Sequence, residues 1–334
     1  MKVWERRADD SSWGEKQLGT RREERSGLLL ASTTALISGV AIFVDSYGTK
    51  DFSYPTVYTT AKNLVAALLL CLFVAIMTWR RRQGSSFAPV ATRGDDRTKA
   101  VSSRIQLLFG CAYVGIVGGG LAFVAFFDGL SRTPPLLAGF EHDTLVVWVA
   151  IMAFAFLGER LSRWNMVAIA VLVAGSVLAG GGVGHLTLGR GSLLILAATV
   201  AWSIEVVVSK RLLRWITPTA LGAVRMGVGT VVLFGYLAYR GYFDSLFSID
   251  STQLLWATLT GMLLAGYVAT WLAALKRSRA VDVTSVLVAS VVVTAALSAL
   301  DGHVLHAPRI GGLVLVALGV GATLWLRTRH RSIA

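Results

Sequence analysis

Ionisable side chains set inside apolar runs are where this sequence could do chemistry. Asp45, Lys62, Asp128, the consecutive Glu141-His142-Asp143, Glu205 and Arg225 all fall within or at the ends of otherwise apolar stretches. A charge near the centre of a bilayer costs about 2.5–3.5 kcal/mol on insertion scales, so each should face a bundle interior or water rather than lipid. Three adjacent residues on a helix fan out over about 200°, so Glu141, His142 and Asp143 cannot share one partner. Histidine and buried carboxylates are suited to taking up and releasing protons. The run is therefore a candidate substrate- or proton-binding site. Two alternatives stand beside it: a satisfied polar network, or a fourth helix that starts later and leaves all three residues in the outer interface.

Depth along the apolar runs sorts the remaining charges. Lys62 and Glu141 each lie about seven residues, or about 10 Å at 1.5 Å per residue, from one end of their runs. Asp45 and Asp128 lie at run ends, so these four with His142 and Asp143 form one expected polar cluster toward the outer side. Glu205 and Arg225 lie nearer the inner side. Lys62 and Arg225 serve either to bind or to neutralise neighbours and fix helix register. Trp148 and Trp202 fall near the middle of their runs, where an indole either lines a cavity or packs. The candidate binding set is thus Glu141, His142, Asp143, Lys62, Trp148, Trp202, Glu205 and Arg225.

No catalytic, cofactor or metal site is expected. There is no Gly-Lys-Ser/Thr phosphate loop and no His-Glu-x-x-His pair. Asp301, His303 and His306 have an unspecific spacing and read as a polar loop. Cys71 and Cys111 lie in apolar runs and read as packing residues.

The elements that must position these groups are membrane-spanning helices. Of 334 residues 54% are hydrophobic and only 15% are charged, against about a quarter charged in a soluble domain. Apolar runs occur at about 27–46, 56–79, 105–130, 134–157, 164–181, 191–209, 217–238, 253–275, 282–300 and 309–326, each long enough for a hydrocarbon core of about 30 Å. The segment from Arg80 through Arg104 reads as a solvated loop. The first 26 residues are polar and contain no signal-peptide core, so the first run should stay as a helix.

The net charge of +13 does not point to nucleic acid, because the basic residues are sorted by side. With the N-terminus placed in the cytoplasm, 25 of the 32 Lys and Arg fall on the inside and five outside, leaving Lys62 and Arg225 within runs. The positive-inside rule then puts both termini in the cytoplasm and requires an even number of spans. Trp79, Trp164, Trp215 and Trp325 fall at the inner ends, as an interfacial aromatic belt would have them.

The two halves also match each other. Pro55 precedes Lys62 by seven residues and Pro218 precedes Arg225 by seven. Gly129-Leu130 aligns with Ala274-Leu275 at an offset of 145, which also places Trp164 on Arg309. Asp45 with Lys62 and Glu205 with Arg225 would then be corresponding charge pairs. Five spans per half would turn the second copy upside down, a recurring design of secondary transporters. Gly115 and Gly118–Gly120 give the third run a small face, suited to close packing or to bending.

The segment Leu157-Gly158-Glu159-Arg160-Leu161, followed by Trp164 and Gly175, resembles the end of one EamA-type repeat. Gly129-Leu130 and Pro134-Pro135-Leu136-Leu137 resemble its third-to-fourth helix turn. The chain is similar to the drug/metabolite transporter superfamily over roughly residues 27–327. The second half departs from the pattern, having Val304 where the first has Glu159.

That resemblance implies an all-α integral membrane fold: ten transmembrane helices in two inverted five-helix repeats around a central cavity. The expected parts are a cytoplasmic tail (1–26), two repeats (27–181 and 191–327) and a second tail (328–334). The implied activity is export or exchange of small metabolites; the mixed charges point to a small polar one, an amino acid or drug-like compound, moved by alternating access with proton or exchange coupling. The implied setting is the cytoplasmic membrane, with the chain a monomer or homodimer. The rival readings are an intramembrane enzyme acting on a lipid-linked substrate and a lipid-flippase subunit.

Overall fold

The computed structural model describes residues 3–84, 97–130, 132–133, 141–179, 189–302 and 307–329, and the regular structure in them is helical. Helix α1 (Val3–Gly48) is continuous from the polar N-terminal segment into the first apolar run. Helix α2 (Pro55–Gly84) opens on a proline, whose fixed φ suits a first helical turn. The third run is built from α3 (Arg97–Ala112), a π-helical stretch (Tyr113–Leu121) and α4 (Ala122–Leu130). The expected loop from Arg80 to Arg104 is therefore helical at both ends. Its middle, residues 85–96 with Asp95 and Asp96, lies outside the described residues, as does the Pro134–Leu137 turn.

The fourth run is interrupted. Residues 141–143 are helical, Thr144 forms a turn, and α5 (Leu145–Met152) runs into a π-helical end at Ala153–Leu157. Helix α6 (Arg163–Ala179) follows. The second half contains α7 (Arg190–Leu212), α8 (Pro218–Arg240) and α9 (Ser251–Arg277). It continues with α10 (Ala280–Leu287), α11 (Ser290–Leu300) and α12 (Ala307–Arg329). Pro218 opens α8 as Pro55 opens α2, and the Thr217 hydroxyl accepts the Ala220 N–H at 3.3 Å. The turn before α11 ends at Ala289, and the turn before α5 is Thr144, so the two breaks lie 145 residues apart. That is the offset expected from the sequence for the later helices of the two halves.

Among the described residues, eight helical stretches are long and apolar enough to cross a membrane. The other two expected runs, the fourth and fifth, are only partly covered, because residues 134–140 and 180–188 lie outside the described residues; the described part of the fifth includes the shorter apolar helix Arg163–Leu178. Large apolar side chains point outward all around the bundle, among them Leu29, Leu68, Phe109, Phe154, Val231 and Leu318. Such a surface is stable against lipid tails and unstable against water. Trp79, Trp164, Trp215 and Trp325 are all exposed near helix ends.

Packing joins the halves in a reciprocal pattern. Helix α1 packs on α9, and in return α7 packs on α4 and the π-helical stretch. Helix α2 packs on α9 and α8 on the π-helical stretch; α1 meets α10 and α11, and α7 meets α5. The other large contacts between the halves join equivalent helices, α2 with α8, α6 with α12 and α5 with α10. Exchanging the halves maps this pattern onto itself.

Candidate functional site

One buried and one half-buried ion pair anchor the site. Arg225 on α8 meets Glu205 on α7 through Nε–Oε1 at 2.5 Å and Nη2–Oε2 at 3.2 Å, a two-point contact that suits a planar guanidinium. Arg225 and Glu205 are only 5% and 1% exposed. The guanidinium also lies over the rings of Phe123 and Trp271, at 5.5 and 5.7 Å, and Nη2 reaches the Gly118 carbonyl at 3.4 Å.

The other pair joins the end of α1 to the start of α2. Lys62 Nζ lies 2.8 Å from Asp45 Oδ2, and the Tyr58 hydroxyl donates to Asp45 Oδ1 at 2.5 Å. The ammonium sits 5.2 Å from the Tyr58 ring centroid and 6.0 Å from that of Phe127. Both pairs expected from the repeat therefore form. Each uses the basic residue seven positions after the proline that opens its helix.

A half-buried aromatic seam connects them. Phe127 lies 6.4 Å from Phe123, and Phe123 lies 5.4 Å from Trp202. Trp202 packs against Phe126 and His142 at 5.4 and 5.2 Å, and His142 against Phe126 at 5.4 Å. The Trp202 indole N–H donates to the Gly118 carbonyl at 3.0 Å. Gly118 thus receives both the indole and the guanidinium, which places rings and ions on one frame.

The structure brings Lys62, His142, Trp202, Glu205 and Arg225 into this continuous arrangement and leaves the other candidates outside it. Glu141 faces Ser192 near the start of α7, and Asp143 faces Ser176 on α6. The three adjacent residues point to three neighbours, as 100° per residue requires. Asp128 pairs with Arg132 one turn away, at 3.0 Å. The single polar cluster expected from depth is therefore divided, because depth carries no information about helix rotation. Trp148 is 37% exposed and makes no ring contact with the seam among the described residues. Two buried polar atoms here have no hydrogen-bond partner among the described residues, Glu141 Oε2 and His142 Nδ1.

Sequence reasoning overlooked Phe123, Phe126 and Phe127, and also Tyr58 and Trp271. The first three carried a readable signal, since positions i, i+3 and i+4 share one helix face. The small glycine face is engaged in close packing, within a π-helical stretch of the kind often found at functional sites. No group of three metal-ligating side chains occurs among the described residues. The expected polar loop is represented by Asp301, which accepts from the Tyr47 hydroxyl, while His303, Val304 and His306 lie outside the described residues.

Asp45→Asn removes the anion facing Lys62 while preserving shape. The variant should lose about 1–3 kcal/mol of stability, the cost of leaving a largely buried charge unpaired where some solvent still reaches. Thermal unfolding in detergent measures it; an unchanged melting temperature would show that water replaces the carboxylate.

A family model described as the EamA-like transporter family matches the chain twice, over residues 25–181 and 189–325. None of the curated proteins matches it. One solved crystal structure is 17% identical and covers 90% of this chain and 99% of its own, with a TM-score of 0.68. That likeness shows a shared fold.

Proposed function

The chain belongs to the EamA-like transporter family, and we propose that this multi-pass membrane protein moves a small polar metabolite by alternating access. The observation that carries the proposal is a buried and a half-buried ion pair joined by an aromatic seam where the two halves meet. Each pair is internally neutral, so the site holds little net charge until a solute competes for its members. A zwitterionic solute such as an amino acid suits it. The solute's carboxylate would take over bonds from Arg225 and its ammonium those from Glu205, while its side chain lies against Trp202, Phe123 and Phe126. A flat drug-like compound would use the rings alone.

The same reading has ten spans in two inverted repeats, residues 27–181 and 191–327, flanked by cytoplasmic tails 1–26 and 328–334. The reciprocal packing and the matched breaks at Thr144 and Ala289 support it. The excess of basic residues at one face supports cytoplasmic termini in the cytoplasmic membrane. Proton or exchange coupling would drive efflux. His142 is the proposed proton carrier, because Nδ1 is buried without a partner among the described residues and its ring touches Trp202. Glu141 and Asp143, on either side of it, would relay protons toward α7 and α6.

The test is flux into proteoliposomes containing the purified protein alone, loaded against a cytosolic metabolite extract and read by mass spectrometry. Uptake of one or a few zwitterionic compounds is expected, at least tenfold lower in His142→Ala. Collapsing an imposed pH gradient should reduce it; unchanged uptake would remove proton coupling. No flux of any solute would remove the transport reading.

A further inference from the structure

One membrane face is closed by a set of bonds between the halves in which the Gly-Glu turn takes a direct part. Gly158 adopts a left-handed conformation at φ 67°, which glycine accepts without strain, and ends the π-helical stretch after α5. Glu159 follows it and reaches across to the second half. Its Oε1 accepts the Ala280 N–H at 2.8 Å, its Oε2 accepts the Val281 N–H at 3.3 Å, and Arg279 Nε lies 3.6 Å away. A first-half carboxylate thus covers the first turn of α10, whose leading N–H groups have no partner within the helix.

The other end of the same link is held as well. Within the second half, Lys210, near the end of α7, donates to the Leu275 and Ser278 carbonyls at 2.5 and 2.6 Å, covering the end of α9. Arg279 Nη2 donates to the Arg160 carbonyl at 2.7 Å, the Ser278 hydroxyl to the Glu24 carbonyl at 3.2 Å, and Arg211 to the Phe156 carbonyl. Glu159, Asp282 and Glu24 all act on the Lys210 ammonium. The link between α9 and α10 is therefore gripped from both halves at once. Elements that rock against each other about a central site cannot do so while these bonds last.

We propose that Glu159 and Arg279 form a latch between the halves that keeps this face shut, and that its release opens the candidate site there. The latch lies on the face carrying the excess of Lys and Arg, and it has no copy in the second half, where Val304 stands at the position aligned with Glu159. The opposite face is joined by the Tyr47–Asp301 bond, the stacked rings of Tyr54 and Tyr242 at 3.9 Å, and Gln253 donating to the Asp51 carbonyl at 2.7 Å. The two faces thus unlock by different chemistry. The proposal rests on the alternating-access reading, but its test does not require a transported solute.

Spin labels at Arg160→Cys and Lys276→Cys, both at exposed positions, report the width of the latched face by pulsed dipolar spectroscopy. The full chain, with Cys71 and Cys111 replaced, would be measured in lipid nanodiscs. A short distance should dominate when Glu159 is present. Glu159→Gln should enlarge a longer-distance population roughly three- to tenfold, the range expected for loss of a charged helix cap. An unchanged distribution overturns the latch. Should Glu159→Gln not fold, Arg279→Gln carries the test, with a smaller shift in the same direction expected and no shift overturning it. Asp301→Asn, at the other face, should leave this distance short; lengthening there would show a general loosening and also overturn the proposal. Absence of flux in the wild-type chain would count against transport and leave these distances as they are.

Discussion

Arg225→Met lowers the stability of the purified protein by about 3–5 kcal/mol, the cost of leaving a buried carboxylate without its counter-ion. Glu205 is almost fully enclosed, and both of its oxygens bond to the guanidinium. Its remaining neighbours include the Gly118 backbone, whose carbonyl presents more negative charge. The double variant Glu205→Gln/Arg225→Met should recover most of that loss, because a neutral pair of similar volume removes the desolvation penalty along with the attraction. It should not recover flux, which on the proposed reading needs both charges to meet the solute. Thermal unfolding in detergent and flux in proteoliposomes, measured on the same three proteins, separate the two roles. If the double variant transports as the wild type does, the pair is only structural.

Gly229→Val prevents folding into the native bundle, and Gly229→Ala destabilises it by about 1–3 kcal/mol through overpacking. A Cβ at Gly229 would overlap the Gly119 backbone, with Gly119 Cα at 2.8 Å. One at Gly119 would in turn meet the Arg225 carbonyl and lie 3.2 Å from Gly229 Cα. Two backbones meet here, so no side-chain rotation can make room. Separating them would also displace the neighbouring Gly118 carbonyl from Trp202 and Arg225. A tenfold or greater loss of flux should therefore accompany even the alanine variant. Gly227, two residues earlier on α8, serves as the control: a Cβ added there would meet no atom of the described residues within 4 Å. Gly227→Ala should be neutral or gain up to about 1 kcal/mol of helix propensity. Equal effects at 227 and 229 would rule out the close crossing as the cause.

The ion pairs were legible because their signal is one-dimensional. A proline opens each helix, a basic residue follows at the same spacing, and bilayer energetics require a partner nearby. The aromatic seam was only partly legible. Phe123, Phe126 and Phe127 share a helix face that spacing reveals, but their meeting with Trp202 and His142 depends on how α4, α7 and the segment at 141–143 are rotated. In a lipid-facing helix the outer side is as apolar as the inner side, so the usual amphipathic signal for rotation is weak. For the same reason Trp148, Glu141 and Asp143 could not be assigned directions beforehand. The break in the fourth run was hidden because Thr144 is compatible with a continuous helix, and the π-helical stretch in the third because Gly118–Gly120 read equally well as α- or π-helical. Glu159 was recognised as part of a motif, whereas its partners at Ala280 and Val281 are backbone groups and leave no trace in residue types.

The matched breaks at Thr144 and Ala289 bear on how the two surfaces of the membrane communicate. An unbroken helix behaves as a rod: tilt it at one surface and the other end swings in proportion. A helix jointed partway absorbs that swing, so the segment on one side of the joint can turn while the other stays docked. With a joint at the same place in each half, α10 could leave Glu159 while α11 stays packed on α1. Meanwhile α7 and α1, each an unbroken helix, pack on α5 and on α10 with α11 respectively, and so form the posts on which the two joints hang. On the proposed alternating-access reading, each surface then moves on its own schedule, and the two are never open together.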